Sequence, residues 1–173
     1  MEDGAVLTGP VHIGKGVVVH AQAVIRGPSI VGPDTVVNSH TEIRSGSFIG
    51  SKCAIGHGCS IIQSMVMNNV DIGAGAFIRN SVIGSGSVVG PGAALGPIGV
   101  ERASTLTSPT SSTLGAVLGD YAIIGANSTI KSGTVIGSRT IVGEGVVASG
   151  IYESNQTVML IPALDIKASH KQS

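Results

Sequence analysis

Three sets of side chains in this sequence have types and spacings that could do chemistry. The first is His20, His40 and His57. An imidazole titrates near neutral pH, so each ring could take or give a proton; the plainer alternative is an exposed or locally hydrogen-bonded ring. No His-x4-His pair is present, and no metal is expected. The second set is Arg26, Arg44, Arg79 and Lys131, each directly following an aliphatic residue: Ile25, Ile43, Ile78 and Ile130. Arginines repeated in this way suit the flat, two-pronged recognition of a phosphate. The plainer alternative is local pairing, with Glu42 shared by Arg26 and Arg44. The third set is Cys53 and Cys59, six residues apart. No Ser-His-Asp set, phosphate-binding loop motif or CxxC is present, and Gly84-Ser85-Gly86 and Gly90-Pro91-Gly92 read as turn glycines.

What positions these groups is a repeat. Every sixth residue from Leu7 is aliphatic: Ile13, Val19, Ile25, Val31, Val37, Ile43, Ile49, Ile55 and Ile61 follow it. Four residues after most of them stands a small or slim side chain, as at Ala23, Ser29, Thr35, Thr41, Ser47, Cys53 and Cys59. A period of six fits neither a helix face nor a simple alternating strand. It fits a parallel β-helix of hexapeptides, in which each short strand covers one side of a prism. One residue per side points into a narrow core and a second, small one lies near the corner. The glycines that often follow the aliphatic residue, such as Gly14, Gly32, Gly50 and Gly56, are expected to permit the turn. Both cysteines fall in the small inward slot and are expected to be reduced core residues.

Three hexads make one triangular turn. The first face then stacks Leu7, Ile25, Ile43, Ile61, Ile78, Leu95, Ile130 and Ala148; the second Ile13, Val31, Ile49, Val66, Ile83, Leu118 and Ile136; the third Val19, Val37, Ile55, Ile72, Val89, Ile124 and Val142. The period slips by one residue before Val66 and before Ile83, and breaks over 97–117, a stretch rich in Ser, Thr and Pro. All three irregularities fall at the corner between the first and second faces. The expected organisation is a lead-in over 1–6, one all-β domain of about seven turns over 7–150 with a long loop at 97–117, and a cap strand and tail over 151–173. Long loops inside compact domains are usually functional or disordered. Asp34 and Lys52, at equivalent corners one turn apart, are expected to form a weak surface pair.

Composition excludes several roles. Ten basic residues balance ten acidic ones, which argues against nucleic acid or a membrane surface as partner. Phe48, Phe77, Tyr121 and Tyr152 are the whole aromatic complement, too few for a base-stacking platform. No apolar run approaches the roughly 20 residues that span a bilayer. The start of the chain does not read as a signal peptide, and a cytoplasmic location is expected.

A hexapeptide prism of this kind resembles the left-handed β-helix of the acyltransferase superfamily. The hand comes from the resemblance, since general rules favour right-handed crossovers. More specifically, Ile25-Arg26-Gly27-Pro28, Asn80-Ser81-Val82-Ile83-Gly84 and Leu114-Gly115-Ala116-Val117-Leu118-Gly119-Asp120 resemble the C-terminal domain of bifunctional sugar-1-phosphate nucleotidylyltransferase/acetyltransferases. The resemblance covers roughly residues 9–165 and implies a homotrimer, an acetyl-CoA donor and a sugar phosphate or nucleotide sugar acceptor. The nucleotidylyltransferase half is absent from these 173 residues. That family's catalytic His falls at Ala74, its Asn near Pro97, and its basic residues before Leu-Gly-Ala at Ser111, Ser112 and Thr113.

Two functions follow as expectations. In one, the chain is an acyl-CoA-dependent transferase of sugar-nucleotide metabolism. Arg26, Arg44, Arg79 and Lys131 then bind an anionic small molecule, and His57, one turn from Ala74 at the same place in its turn, supplies the base. In the other, it is a non-catalytic trimerising or regulatory subunit that partners a separate nucleotidylyltransferase chain.

Overall fold

The computed structural model describes residues 1–44, 46–96 and 114–160. Within them the chain forms 24 short strands and no helix, arranged as three eight-stranded parallel sheets. Each sheet takes every third strand in chain order, so the three wrap one stack of eight triangular turns. This is an all-β, left-handed parallel β-helix of hexapeptide repeats.

The register follows the aliphatic residues. On the first sheet Leu7 pairs with Ile25, Ile43 with Ile61, Ile61 with Ile78, Leu95 with Ile130, and Ile130 with Ala148. On the second, Ile13 pairs with Val31, Val66 with Ile83, and Ile83 with Leu118. On the third, Val19 pairs with Val37, Ile55 with Ile72, and Ile124 with Val142. From Ile25 to Ile136 every one of these inward residues is at most 2 % exposed. Each is covered above and below by its counterpart, which is how side chains this short fill a core one residue deep per side.

The corner slot has its own chemistry. Thr35 Oγ1 donates to the Gly50 carbonyl (2.8 Å) and accepts from the Cys53 amide (3.1 Å). Thr41 Oγ1 donates to the Gly56 carbonyl at 2.7 Å. A buried hydroxyl is tolerated here because it bridges two turns and leaves neither of its roles unmet. Cys53 and Cys59 occupy the same slot, buried and unbridged, their thiols donating at 3.1 Å to the carbonyls of Met67 and Gly73.

The glycines correct the sequence reading. Gly14, Gly32, Gly50 and Gly56 do not have the positive φ that a turn would require of them. They are needed because a Cβ would strike the next turn: at Gly56 it would lie 2.6 Å from the Ala74 amide nitrogen. The left-handed residue stands two positions later, where Gly16 and Gly58 alternate with Asp34, His40 and Lys52. Asp34 and Lys52, at φ 57° and 55°, form no ion pair with each other. The two roles look alike in sequence because both fall within three residues of the aliphatic position.

An eighth turn comes from Ile151–Tyr152 and Thr157–Val158, the segment read as a cap. Tyr152 pairs with Ile136 and Val158 with Val142. The hexad is obscured there because Ala148 and Tyr152 are only four residues apart and the inward position carries a half-buried Tyr. This shortening lies again between the first and second sheets. Residues 97–113 of the expected loop, and the tail from 161, lie outside the described residues.

Two outcomes follow. Ile49, 0 % exposed between Val31 and Val66, cannot become Asp without burying a carboxylate far from any partner. Ile49→Asp should cost more than about 3 kcal/mol in denaturant unfolding or abolish soluble protein; a variant melting within a few degrees of the parent would contradict the register. Burial also raises both thiols above their ordinary pKa of 9.0. A thiol that ionises less readily when folded adds stability at neutral pH, and that contribution fades as pH climbs past the ordinary thiol range. Unfolding midpoints should therefore fall as pH rises above about 9, and a thiol reagent at neutral pH should label neither cysteine until the chain is unfolded.

Candidate functional site

The first sheet ends, turn by turn, on Thr8, Arg26, Arg44, Ile62, Arg79, Gly96, Lys131 and Ser149, each directly after an inward aliphatic residue and on the outer side. Thr8 pairs with Arg26, and Ile62 with both Arg44 and Arg79. Arg26 and Arg44 follow Ile25 and Ile43 in the same ladder, so their backbones stand about 4.8 Å apart. Ile62, although outward, is only 7 % exposed. It is flanked by two arginines, whose long stems are able to cover apolar surface.

Among the described residues Glu42 pairs with Arg44 alone, Nη1 to Oε1 at 3.6 Å. Arg26 is exposed and makes no ion pair among the described residues, so the sharing of Glu42 expected from the sequence does not occur. Arg44 Nε is buried with no hydrogen-bond partner among the described residues. Lys131 is exposed further along the same corner.

The corner also receives the ends of the long insertion. Gly115 N donates to the Asn80 carbonyl (2.7 Å), and Gly133 N to the carbonyls of Gly115 (2.9 Å) and Leu114 (3.1 Å). Gly96 and Gly115 both lie against the Arg79 carbonyl, where a Cβ would overlap it. These close approaches hold the insertion's two ends beside the basic ladder.

His57 lies at a different corner, between the third and first sheets. Ile55 pairs with Ile72, which puts His57 in register with Ala74, and Gly75 N donates to the His57 carbonyl at 2.8 Å. Its Nδ1 is 3.0 Å from Ser39 Oγ, and its ring lies 5.0 Å from that of His40. His57 and His40 are both exposed. His20 is held apart by Glu2, Nδ1 to Oε1 at 2.9 Å. The second Glu2 oxygen accepts from the Ala21 amide, and this backbone bond followed by the His20 contact lowers the Glu2 carboxyl below its usual pKa. The structure therefore groups the arginines at the exit of the first sheet and His57 before its start, and does not bring the two together within one chain. Among the described residues no three His, Cys, Asp or Glu gather as a metal site needs.

One feature was missed in the sequence. A groove of about 540 Å³ opens beside Arg26 and Arg44, lined by Pro10, His12, Pro28, Ile30 and Phe48 with Ser29 and Ser47. It begins an apolar outer face of the second sheet, where His12 pairs with Ile30, Ile30 with Phe48, and Phe48 with Met65. The signal was present: these residues immediately precede the inward aliphatics of that face.

The profile of the EIF2B subunit epsilon LbH domain matches residues 8–105, and that of the bacterial transferase hexapeptide (six repeats) matches residues 115–150. The chain belongs to the first of these, a family of left-handed β-helix domains. No curated protein matches the sequence. Among solved structures it is similar to the polysialic acid O-acetyltransferase OatWY, with 14% identity over 97% of this chain and 93% of that one and a TM-score of 0.63. It is also similar to the UDP-N-acetylglucosamine acyltransferase from Campylobacter jejuni (16% identity, 89% and 71% covered, TM-score 0.54). A third is a mutant of AntD, an N-acyltransferase from Bacillus cereus, in complex with dTDP and coenzyme A (18% identity, 94% and 85% covered, TM-score 0.54). At these identities the likeness is one of fold.

Glu42→Gln would remove the carboxylate that Arg44 faces. Because both side chains are about a third or more exposed, we expect unfolding free energy to change by less than about 1 kcal/mol. A larger loss in a denaturant titration would mean that the pair braces the corner.

Proposed function

We propose that this chain is a hexapeptide-repeat transferase of sugar-nucleotide metabolism, taking an acyl group from acyl-CoA and acting on a sugar phosphate or nucleotide sugar. The observation that carries this reading is the basic corner. Arg26 and Arg44 are adjacent rungs of one ladder, and among the described residues Arg26 has no acidic partner and one buried guanidinium nitrogen of Arg44 has no hydrogen-bond partner. Two like charges so close repel, and a bound phosphate would relieve that while taking charge-assisted hydrogen bonds. Its structural neighbours include a UDP-N-acetylglucosamine acyltransferase and an N-acyltransferase in complex with dTDP and coenzyme A, which supports this substrate class. In this reading Arg79 and Lys131 extend the anion contacts.

An acyl transfer to a sugar amine or hydroxyl needs a base for the acceptor's proton. His57 takes that role here: Ser39 engages Nδ1 and fixes the ring, leaving Nε2 for the substrate. The assembly is a homotrimer joined through the outer face of the third sheet, where Val18, Val36, Ala54 and Val88 present small and aliphatic side chains. His57 borders that face.

A second reading is a non-catalytic trimerising or regulatory subunit that partners a separate nucleotidylyltransferase chain. Two observations favour it: Ala74 stands where the resemblance puts a catalytic His, and His57 and the arginines occupy different corners.

Acetyl-CoA turnover against amino and hydroxyl sugar phosphates and nucleotide sugars separates the two. We expect activity in the parent, a fall of about 10²-fold or more in His57→Ala, and weakened acceptor affinity in Arg26→Gln/Arg44→Gln. Activity that survives His57→Ala removes His57 from the mechanism, and no turnover with any acceptor favours the second reading. Light scattering should give three times 17.2 kDa; a monomer at micromolar concentration would remove the trimer.

A further inference from the structure

We propose that the corner between the first and second sheets binds an anionic amphiphile, a phosphate head carried on a hydrocarbon chain, with the head on Arg26 and Arg44 and the chain in the adjoining groove. This rests on the anion reading of the corner and adds a second substituent on the bound phosphate, a hydrocarbon chain whose place is the groove while the sugar stays outside it.

The groove and the arginines are one continuous construction. Two residues after Arg26 the chain reaches Pro28, and two after Arg44 it reaches Gly46, both of which line the groove. Ser29 Oγ donates to the Arg26 carbonyl and Ser47 Oγ to the Arg44 carbonyl, each at 2.7 Å. Both serines line the groove and are nearly buried, at 4 % and 2 % exposure. Each groove rung is thus tied to the rung that bears an arginine.

Those bonds also decide what the groove can hold. The two hydroxyl protons are spent on the arginine carbonyls, which leaves His12 as the one other polar side chain among the described residues of the lining. A sugar ring or nucleobase would surrender hydrogen bonds to water there and regain few, whereas a hydrocarbon surrenders none. Pro10, Pro28, Ile30 and Phe48 offer apolar surface, and Ile30 is 45 % exposed without a covering group. Charge complementarity places the head: Glu42 approaches Arg44 at 3.6 Å, and Arg26 has no acidic partner among the described residues.

The test compares inorganic phosphate with octyl phosphate, below its micelle concentration, by calorimetry. Octyl phosphate should bind at least about tenfold more tightly. Ile30→Asn/Phe48→Ser should erase that advantage while leaving phosphate binding unchanged, and Arg26→Gln/Arg44→Gln should weaken both ligands. Both groove substitutions lie on the outer side of the sheet, and strand circular dichroism checks that the variant is folded. Equal affinity for the two phosphates overturns the groove while leaving the anion corner standing. Binding of neither ligand overturns both. If Ile30→Asn/Phe48→Ser lowers the molecular mass in light scattering, the groove is an interface between copies and the amphiphile proposal fails.

Discussion

The structure depends on one constraint: each turn must present its inward residues in register with the turns above and below. A parallel ladder with a core one residue deep per side tolerates no phase error, because a slip of one residue would turn every inward side chain outward. The chain obeys this by keeping two corners of fixed length. Val66, Ile72 and Ile78 are six residues apart, as are Leu118, Ile124 and Ile130, and all six stack in register. Every departure is confined to the third corner, between the first and second sheets. Ile61 to Val66 and Ile78 to Ile83 are short by one, Ala148 to Tyr152 is shorter still, and the whole insertion leaves from Gly96. A corner free to vary in length while the faces stay in phase is where a repeat protein can build something other than a repeat.

The basic ladder and the groove share this corner, in turns that keep the regular spacing, Ile25 to Val31 and Ile43 to Ile49. Outward residues at the end of the first sheet lie outside the core, so arginines fit there, their stems beside Ile62. The corner that follows bends around Pro10 and Pro28 in the first two turns and leaves a recess over Ile30 and Phe48. The corner holding His57 keeps the same six-residue spacing, Ile55 to Ile61, and there Gly56 has no room for a Cβ against the Ala74 nitrogen, as Gly27 has none against the Pro10 backbone. Irregularity and the arginines thus gather on one edge, and the imidazoles of His20, His40 and His57 on another.

Much of this was legible in the sequence. The inward faces needed only the period of six and apolarity, and the residue pairs of all three sheets follow from them. The basic ladder was legible for the same reason, since strand side chains alternate. What was hidden depended on contacts between turns. The glycines after the aliphatic residues are required by the approach of the next turn's backbone, which no single hexad reveals. The eighth turn was obscured by Tyr152 in an aliphatic slot after a short corner. Whether Glu42 served one arginine or two depended on side-chain reach, and the groove depended on how Pro10 and Pro28 shape a bend.

The central claim is that ligand recognition resides at the variable corner. Amide hydrogen exchange, followed by mass spectrometry with and without a saturating phosphate ester, tests it most directly, because it reads every turn of the folded chain at once. The account predicts slowed exchange in the peptides spanning Arg26–Ile30 and Arg44–Phe48, with Ile55–Cys59 unchanged. Protection confined to the segment around His57, with none at the arginine corner, would contradict it.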